Sequence, residues 1–158
     1  ALQEGLATWF EYAFAENIDG ELKRNEKKWE NLQIYLEESK QKRHPIITKN
    51  YSKPEDLFDT HSYEKASLVF DLIQKEIGTD RFKQVLRDWL RLPADKITAT
   101  NFQTLIEEQT GVSFTEFFTQ WFKTAGHPVI SIKKEQTANH TFLHISQTQK
   151  VSKEGLFK

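Results

Sequence analysis

The sequence contains no cysteine and no methionine. The missing cysteine excludes a disulfide scaffold, a thiolate metal site and a cysteine nucleophile, and it suits a cytoplasmic setting. The missing methionine, absent even at position 1, leads us to expect a segment excised from a longer polypeptide. An excess of one charge is also lacking: 22 Lys and Arg stand against 23 Asp and Glu, a net charge of −1. With no basic field, neither nucleic acid nor an anionic membrane surface is an expected partner. No apolar run approaches the ~20 residues that span a bilayer. No basic stretch followed by a short apolar one opens the chain as a signal peptide does.

What is present is one domain's worth of chain, 158 residues, enough to bury a sizeable core. Apolar residues make up 37%, below the roughly 45–50% usual in globular domains, and the mean hydropathy is −0.67. Aromatic residues, 12 of them Phe and 4 Trp, supply bulk to that core.

Helical periodicity dominates. Leu2, Leu6, Trp9, Phe10 and Ala13 form an apolar stripe, with Glu4, Thr8 and Glu11 on another face, until Asp19-Gly20 breaks the pattern. A second, highly charged helix is expected over 21–39, burying Leu22, Trp29, Leu32, Tyr35 and Leu36. Residues 40–58, with His44-Pro45 and Lys53-Pro54, read as a loop. A third helix is expected over 62–77, with Gly78 past its end. Thr79 is the expected cap of a fourth, whose inward residues are Phe82, Val85, Leu86, Trp89 and Leu90. Thr100 with Gln103, and Ser113 with Glu116, match capping boxes for a fifth and a sixth helix. Beyond Gly126 the period becomes two, and residues 129–133 and 141–146 read as a hairpin. The expected architecture is therefore mainly α: about six helices over 1–126, then a hairpin in 127–158 that opens a further, β-rich domain.

Common catalytic patterns are missing: there is no Gly-rich phosphate loop, no G-x-S-x-G and no H-E-x-x-H. His140 and His144 have the i, i+4 spacing of a helical metal pair, but they fall in the hairpin and read as solvated.

Three stretches carry a more specific signal. Leu2-Gln3-Glu4-Gly5-Leu6-Ala7-Thr8-Trp9-Phe10-Glu11-Tyr12 resembles the L-N-E-G-F-A-x-(Y/W)-x-E-(Y/H) segment of the aminopeptidase N family, zinc peptidases of the gluzincin group. Ser62-Tyr63-Glu64-Lys65-Ala66-Ser67 resembles that family's x-Y-E-K-G-(A/S). The run from Phe117 to Val129 resembles F-x-x-W-(T/F)-x-x-x-G-(Y/H)-P-(V/L), which joins the catalytic region to a β-sandwich. The order is the family's, and the resemblance covers nearly the whole chain.

The resemblance implies that the chain is the C-terminal helical part of a thermolysin-like catalytic domain, followed by the start of a β-sandwich. It implies that Glu4 is the third zinc ligand, beside two His on a preceding helix, leaving the fourth position open for water. It implies that Tyr63 is the phenol that stabilises the oxyanion, a neutral donor at pH 7. Glu11 matches a recurrent acidic position where a hydrogen bond behind the ligands is possible. On spacing alone, Glu4 and Glu11 are equally ordinary surface acids, and Tyr63 also falls on the apolar stripe. Ala66 departs from the family's Gly, which matters only where a backbone passes close by. The implied substrates are peptides with a free N-terminus, and the implied partner is the N-terminal half of the same catalytic domain. Lacking H-E-x-x-H, the fragment is expected to be inert by itself and to expose apolar surface along its first helix. A helical scaffold, or a relative that binds peptides without cleaving them, is the alternative; an upstream H-E-x-x-H would separate the readings.

Overall fold

The computed structural model describes residues 2–149 and residue 157. Helices α1 (Leu2–Asp19) and α2 (Glu21–Glu38) are joined at Gly20 and both pack against α3 (Ala66–Ile77). Then come α4 (Thr79–Leu90), α5 (Ala99–Thr110) and α6 (Thr115–Phe122). Strands β1 (Ile130–Gln136) and β2 (Thr141–Gln147) pair antiparallel, Ile132 opposite Ile145. The architecture is the expected one, six helices and a hairpin.

One aromatic-rich core runs through the helices. Phe70 of α3 lies edge-on to Phe82, Phe102 and Phe122, and Trp89 adjoins Phe102. These edge-to-face contacts add to the burial of the rings' large apolar area. The 40–58 loop is tied to this body by Ile46, which is buried, and by Ile47, whose N–H donates to the Phe122 carbonyl at 2.8 Å. It also contains a single 3₁₀ turn, Pro54–Leu57.

Several local expectations need correction. α1 is rolled about its axis: Tyr12 and Ala15 are buried, whereas Phe10 is exposed. In α2, Leu22 and Trp29 face solvent, and Arg24 takes the inward position. The reason is Asp71 of α3, fully enclosed, which pairs with Arg24 at 2.6 Å and Lys28 at 2.7 Å. Burial alone would raise the Asp71 carboxyl, but the Lys28 and Arg24 hydrogen bonds hold it below its ordinary value. Leu90 is also exposed, since α4 ends there.

The caps shift as well. Thr98, not Thr100, caps α5, its hydroxyl accepting from the Asn101 N–H. Thr79 is the first residue of α4, and Gly78 makes the turn before it with φ 86°, a conformation that side-chain-bearing residues rarely adopt. Ser113 does not close a capping box; α6 starts one residue later, and the Phe114 N–H donates instead to Glu107 of α5 at 2.6 Å.

In the hairpin, Ile130, Ile132, Leu143 and Ile145 share one face and all are exposed. His144 sits near Glu135 at 3.2 Å and His140 beside the Phe142 ring, so the two histidines do not form a pair.

Candidate active site

Two of the sequence motifs, some sixty residues apart, meet residue by residue where α1 crosses the start of α3. Gly5 lies directly on Ala66: a Cβ placed on Gly5 would overlap the Ala66 Cβ and come within 3.1 Å of its carbonyl carbon. One methyl fits between these helices and two do not. A backbone does pass close to Ala66, and it is that of Gly5. The Tyr12 hydroxyl lies 2.5 Å from the Ser67 hydroxyl and accepts from the Asn31 amide at 2.8 Å, which pins α1, α2 and α3 together. Burial is the largest influence raising the Tyr12 phenol's pKa.

This close approach brings Glu4 and Tyr63 side by side. The Tyr63 phenol is raised from its ordinary value first by desolvation, then by the charge of Glu4 and by its hydrogen bond to the Glu4 carboxylate. It is therefore a protonated donor at neutral pH. Glu4 is half-buried in the first turn of α1, and the Thr8 hydroxyl donates to its carbonyl at 3.2 Å. Glu11 is exposed, and its charge acts on Glu64, whose carboxyl is raised by burial and by Glu38, Asp59 and Glu11.

Tyr63 does not sit in a regular α-helical turn. Residues His61–Lys65 form a single π-helical turn ahead of α3, with the Lys65 N–H donating to Thr60 O, five residues back, at 2.8 Å. Such turns recur at functional sites. Asp59 caps this one. Its Oδ1 accepts from the His61 N–H at 3.0 Å and the Ser62 N–H at 3.3 Å. Its Oδ2 meets His44 Nε2 and Lys42 Nζ, both at 2.6 Å. Burial would raise this carboxyl, but the hydrogen bonds from Lys42 and His44 bring it down to about 2.

His44, Asp59 and His61 are the residues that sequence reasoning missed. They are the one group of His, Asp and Glu among the described residues close enough to share an ion. Their arrangement does not suit one. Both Asp59 oxygens already have donors, and both His44 nitrogens already face acceptors, Pro45 O at 2.7 Å and Asp59 Oδ2 at 2.6 Å. His61 is fully buried and held neutral, its pKa lowered to about 4 by burial and by His44. The signal available in the sequence was the Asp59 position, two residues before the turn His61–Lys65 in the manner of a cap.

Zinc has one suitable donor here, Glu4. A hard carboxylate oxygen fits a two-His, one-Glu set, and the Tyr63 phenol beside it is a neutral hydrogen-bond donor. Glu4 by itself is too few ligands, and the other two would have to come from beyond the described residues.

The profile of the Peptidase family M1 domain matches residues 1–121. Aminopeptidase M1-B of Oryza sativa subsp. japonica is 29% identical over 162 residues, covering 96% of this chain and 17% of that protein. Aminopeptidase M1 of Arabidopsis thaliana is 26% identical over 143 residues, covering 84% of this chain and 16% of that protein. Alanine/arginine aminopeptidase of Saccharomyces cerevisiae (strain ATCC 204508 / S288c) is 28% identical over 148 residues. The crystal structure of Legionella pneumophila aminopeptidase A in complex with aspartic acid shares the fold, with a TM-score of 0.67 at 21% identity over 92% of this chain and 16% of that one. The chain thus spans about a sixth of the length of the proteins it matches.

Proposed function

The chain belongs to peptidase family M1, and from that membership we propose that it contributes one zinc ligand and the oxyanion donor to an aminopeptidase whose remaining active-site residues lie upstream. The observation that carries this reading is the placement of Glu4 beside Tyr63 across the Gly5–Ala66 contact. When bound, zinc would activate a water and polarise the scissile carbonyl. Glu4 would hold it as the third ligand. Tyr63 would point its O–H at the carbonyl oxygen and stabilise the negative charge that develops there. The charge of Glu4 acts on that phenol, which supports its orientation toward the site. Glu11 would act at most through groups behind the ligands.

Residues 1–126 then form the C-terminal part of the catalytic domain, and 127–158 the start of a β-sandwich. The uncovered apolar face of the hairpin supports the second assignment, because an isolated two-stranded hairpin is marginal in water. Phe10, Phe14 and Ile18, exposed at spacings of four along α1, support docking of the missing N-terminal half of the catalytic domain on that face. The substrates would be peptides with a free N-terminus. No helix among the described residues is long and apolar enough to cross a membrane, and the lack of cysteine supports a cytoplasmic setting. Without H-E-x-x-H, the 158 residues alone would be inert.

The test is made on the full-length parent by metal analysis and hydrolysis of aminoacyl-anilides. Wild type should hold about one zinc per chain and cleave. Glu4→Gln should lose most of the metal, since a third of the protein ligand set is gone. A parent that binds no zinc and cleaves nothing would favour the peptide-binding alternative.

A further inference from the structure

We propose that His44 and Asp59 are positioning residues for Tyr63, clamping the π-helical turn that aims its phenol. This rests on the catalytic reading of Tyr63. The two oxygens of the Asp59 carboxylate divide the work. Oδ1 faces the turn and takes the His61 and Ser62 amides, while the main-chain oxygen of Asp59 accepts from Ser62 at 3.0 Å and Tyr63 at 3.3 Å. Oδ2 faces the 40–58 loop and is held by His44 and Lys42.

His44 is itself fixed. Its Nδ1 lies 2.7 Å from the Pro45 carbonyl and its Nε2 2.6 Å from Asp59. Both nitrogens face an acceptor, the Pro45 carbonyl and the Asp59 carboxylate. Charge-assisted bonds of this length are the strong class. Pro45 has a restricted φ, and the next residue, Ile46, is buried, so the clamp is anchored in the core. The fully buried His61 ring stacks beneath His44 and fills the space behind the clamp. From the other side, Glu38 of α2 accepts from both the Thr60 N–H, at 2.9 Å, and the Thr60 hydroxyl.

A π turn is held by its surroundings more than by its own hydrogen bonds. Without Asp59 the segment has an alternative: ordinary α geometry, which rotates Tyr63 about the helix axis relative to Glu4. His44 stands behind Asp59, so its effect on Tyr63 must travel through the turn.

The decisive experiment is a double-mutant cycle between His44→Ala and Tyr63→Phe in the full-length parent. His44→Ala should lower kcat by about 10- to 100-fold, the range for a misplacement on the order of 1 Å, with KM and zinc content unchanged. In the Tyr63→Phe background the same change should alter the residual turnover by less than about twofold, because the group being positioned is gone. Amide exchange over 61–66 should quicken while that of α4 and α5 stays put. Asp59→Asn, which keeps an acceptor for the turn but loses the charge, serves as the second variant and should show the same pattern if His44→Ala folds poorly. A His44→Ala loss equal in both backgrounds, or no loss, overturns the proposal. A Tyr63→Phe variant with full turnover overturns the catalytic reading beneath it, a separate result.

Discussion

Ala66 in α3 is completely enclosed against Gly5 of α1, while Ile145 in β2 is 65% exposed on a face it shares with three other apolar side chains. The helical interface is closely packed: Tyr12 meets Ser67, Arg24 pairs with Asp71, and the closest approach admits one methyl. The hairpin has complete backbone pairing and an uncovered apolar face. α1 shows the same contrast within one helix, since Leu6, Trp9 and Tyr12 are buried and Phe10, Phe14 and Ile18 are not. Where the chain supplies its own partner, packing is tight enough to set the position of a candidate catalytic pair. Elsewhere, apolar side chains stay exposed.

The contrast can be broken from its tight side. Gly5→Ala puts two methyls where one fits, and should destabilise the protein by about 1–3 kcal/mol, the usual cost of overpacking. Ala66→Gly in the same chain should recover most of that loss, because the total of one methyl is restored. Thermal unfolding of the two single variants and the double variant measures the coupling. A fully additive pair would mean that the helices do not meet at these residues.

The loose side predicts a small effect. Ile145→Thr in the 158-residue chain should change stability by less than about 0.5 kcal/mol, as surface substitutions do, and keeps a β-branched residue in the strand. In the full-length parent, where a completed sandwich would cover that face, the cost should rise above this. Equal small effects in both would remove the hairpin's role as the opening of a further domain.

Much of this organisation was legible from residue pattern. The order of helices, the switch to a period of two after Gly126, and the motif residues Glu4 and Tyr63 could all be read in one dimension. The misread positions have a common cause, a partner far away in sequence. Arg24 is inside because Asp71 lies 47 residues on, and no helical pattern in α2 encodes that. Leu22 and Trp29 have suitable spacing for a buried stripe, yet α2 turns its charged side to α3. Thr98 and Thr100 are both good caps, and the choice depends on where the chain leaves the 3₁₀ turn Ala94–Lys96. The π turn at Tyr63 was hidden because it depends on a clamp assembled from the loop, α2 and Asp59. The proposed roles of Glu4 and Tyr63 came from resemblance; periodicity put Tyr63 on an apolar stripe and did not place Glu4 beside it.

The most direct test of the central claim is turnover of the full-length parent carrying Tyr63→Phe, with its zinc content measured on the same sample. The account predicts that the metal is retained and that kcat falls by about 10²–10³, the loss expected for one oxyanion donor. A variant that keeps both its zinc and its turnover would contradict it and leave Tyr63 a packing residue of the α1–α3 interface.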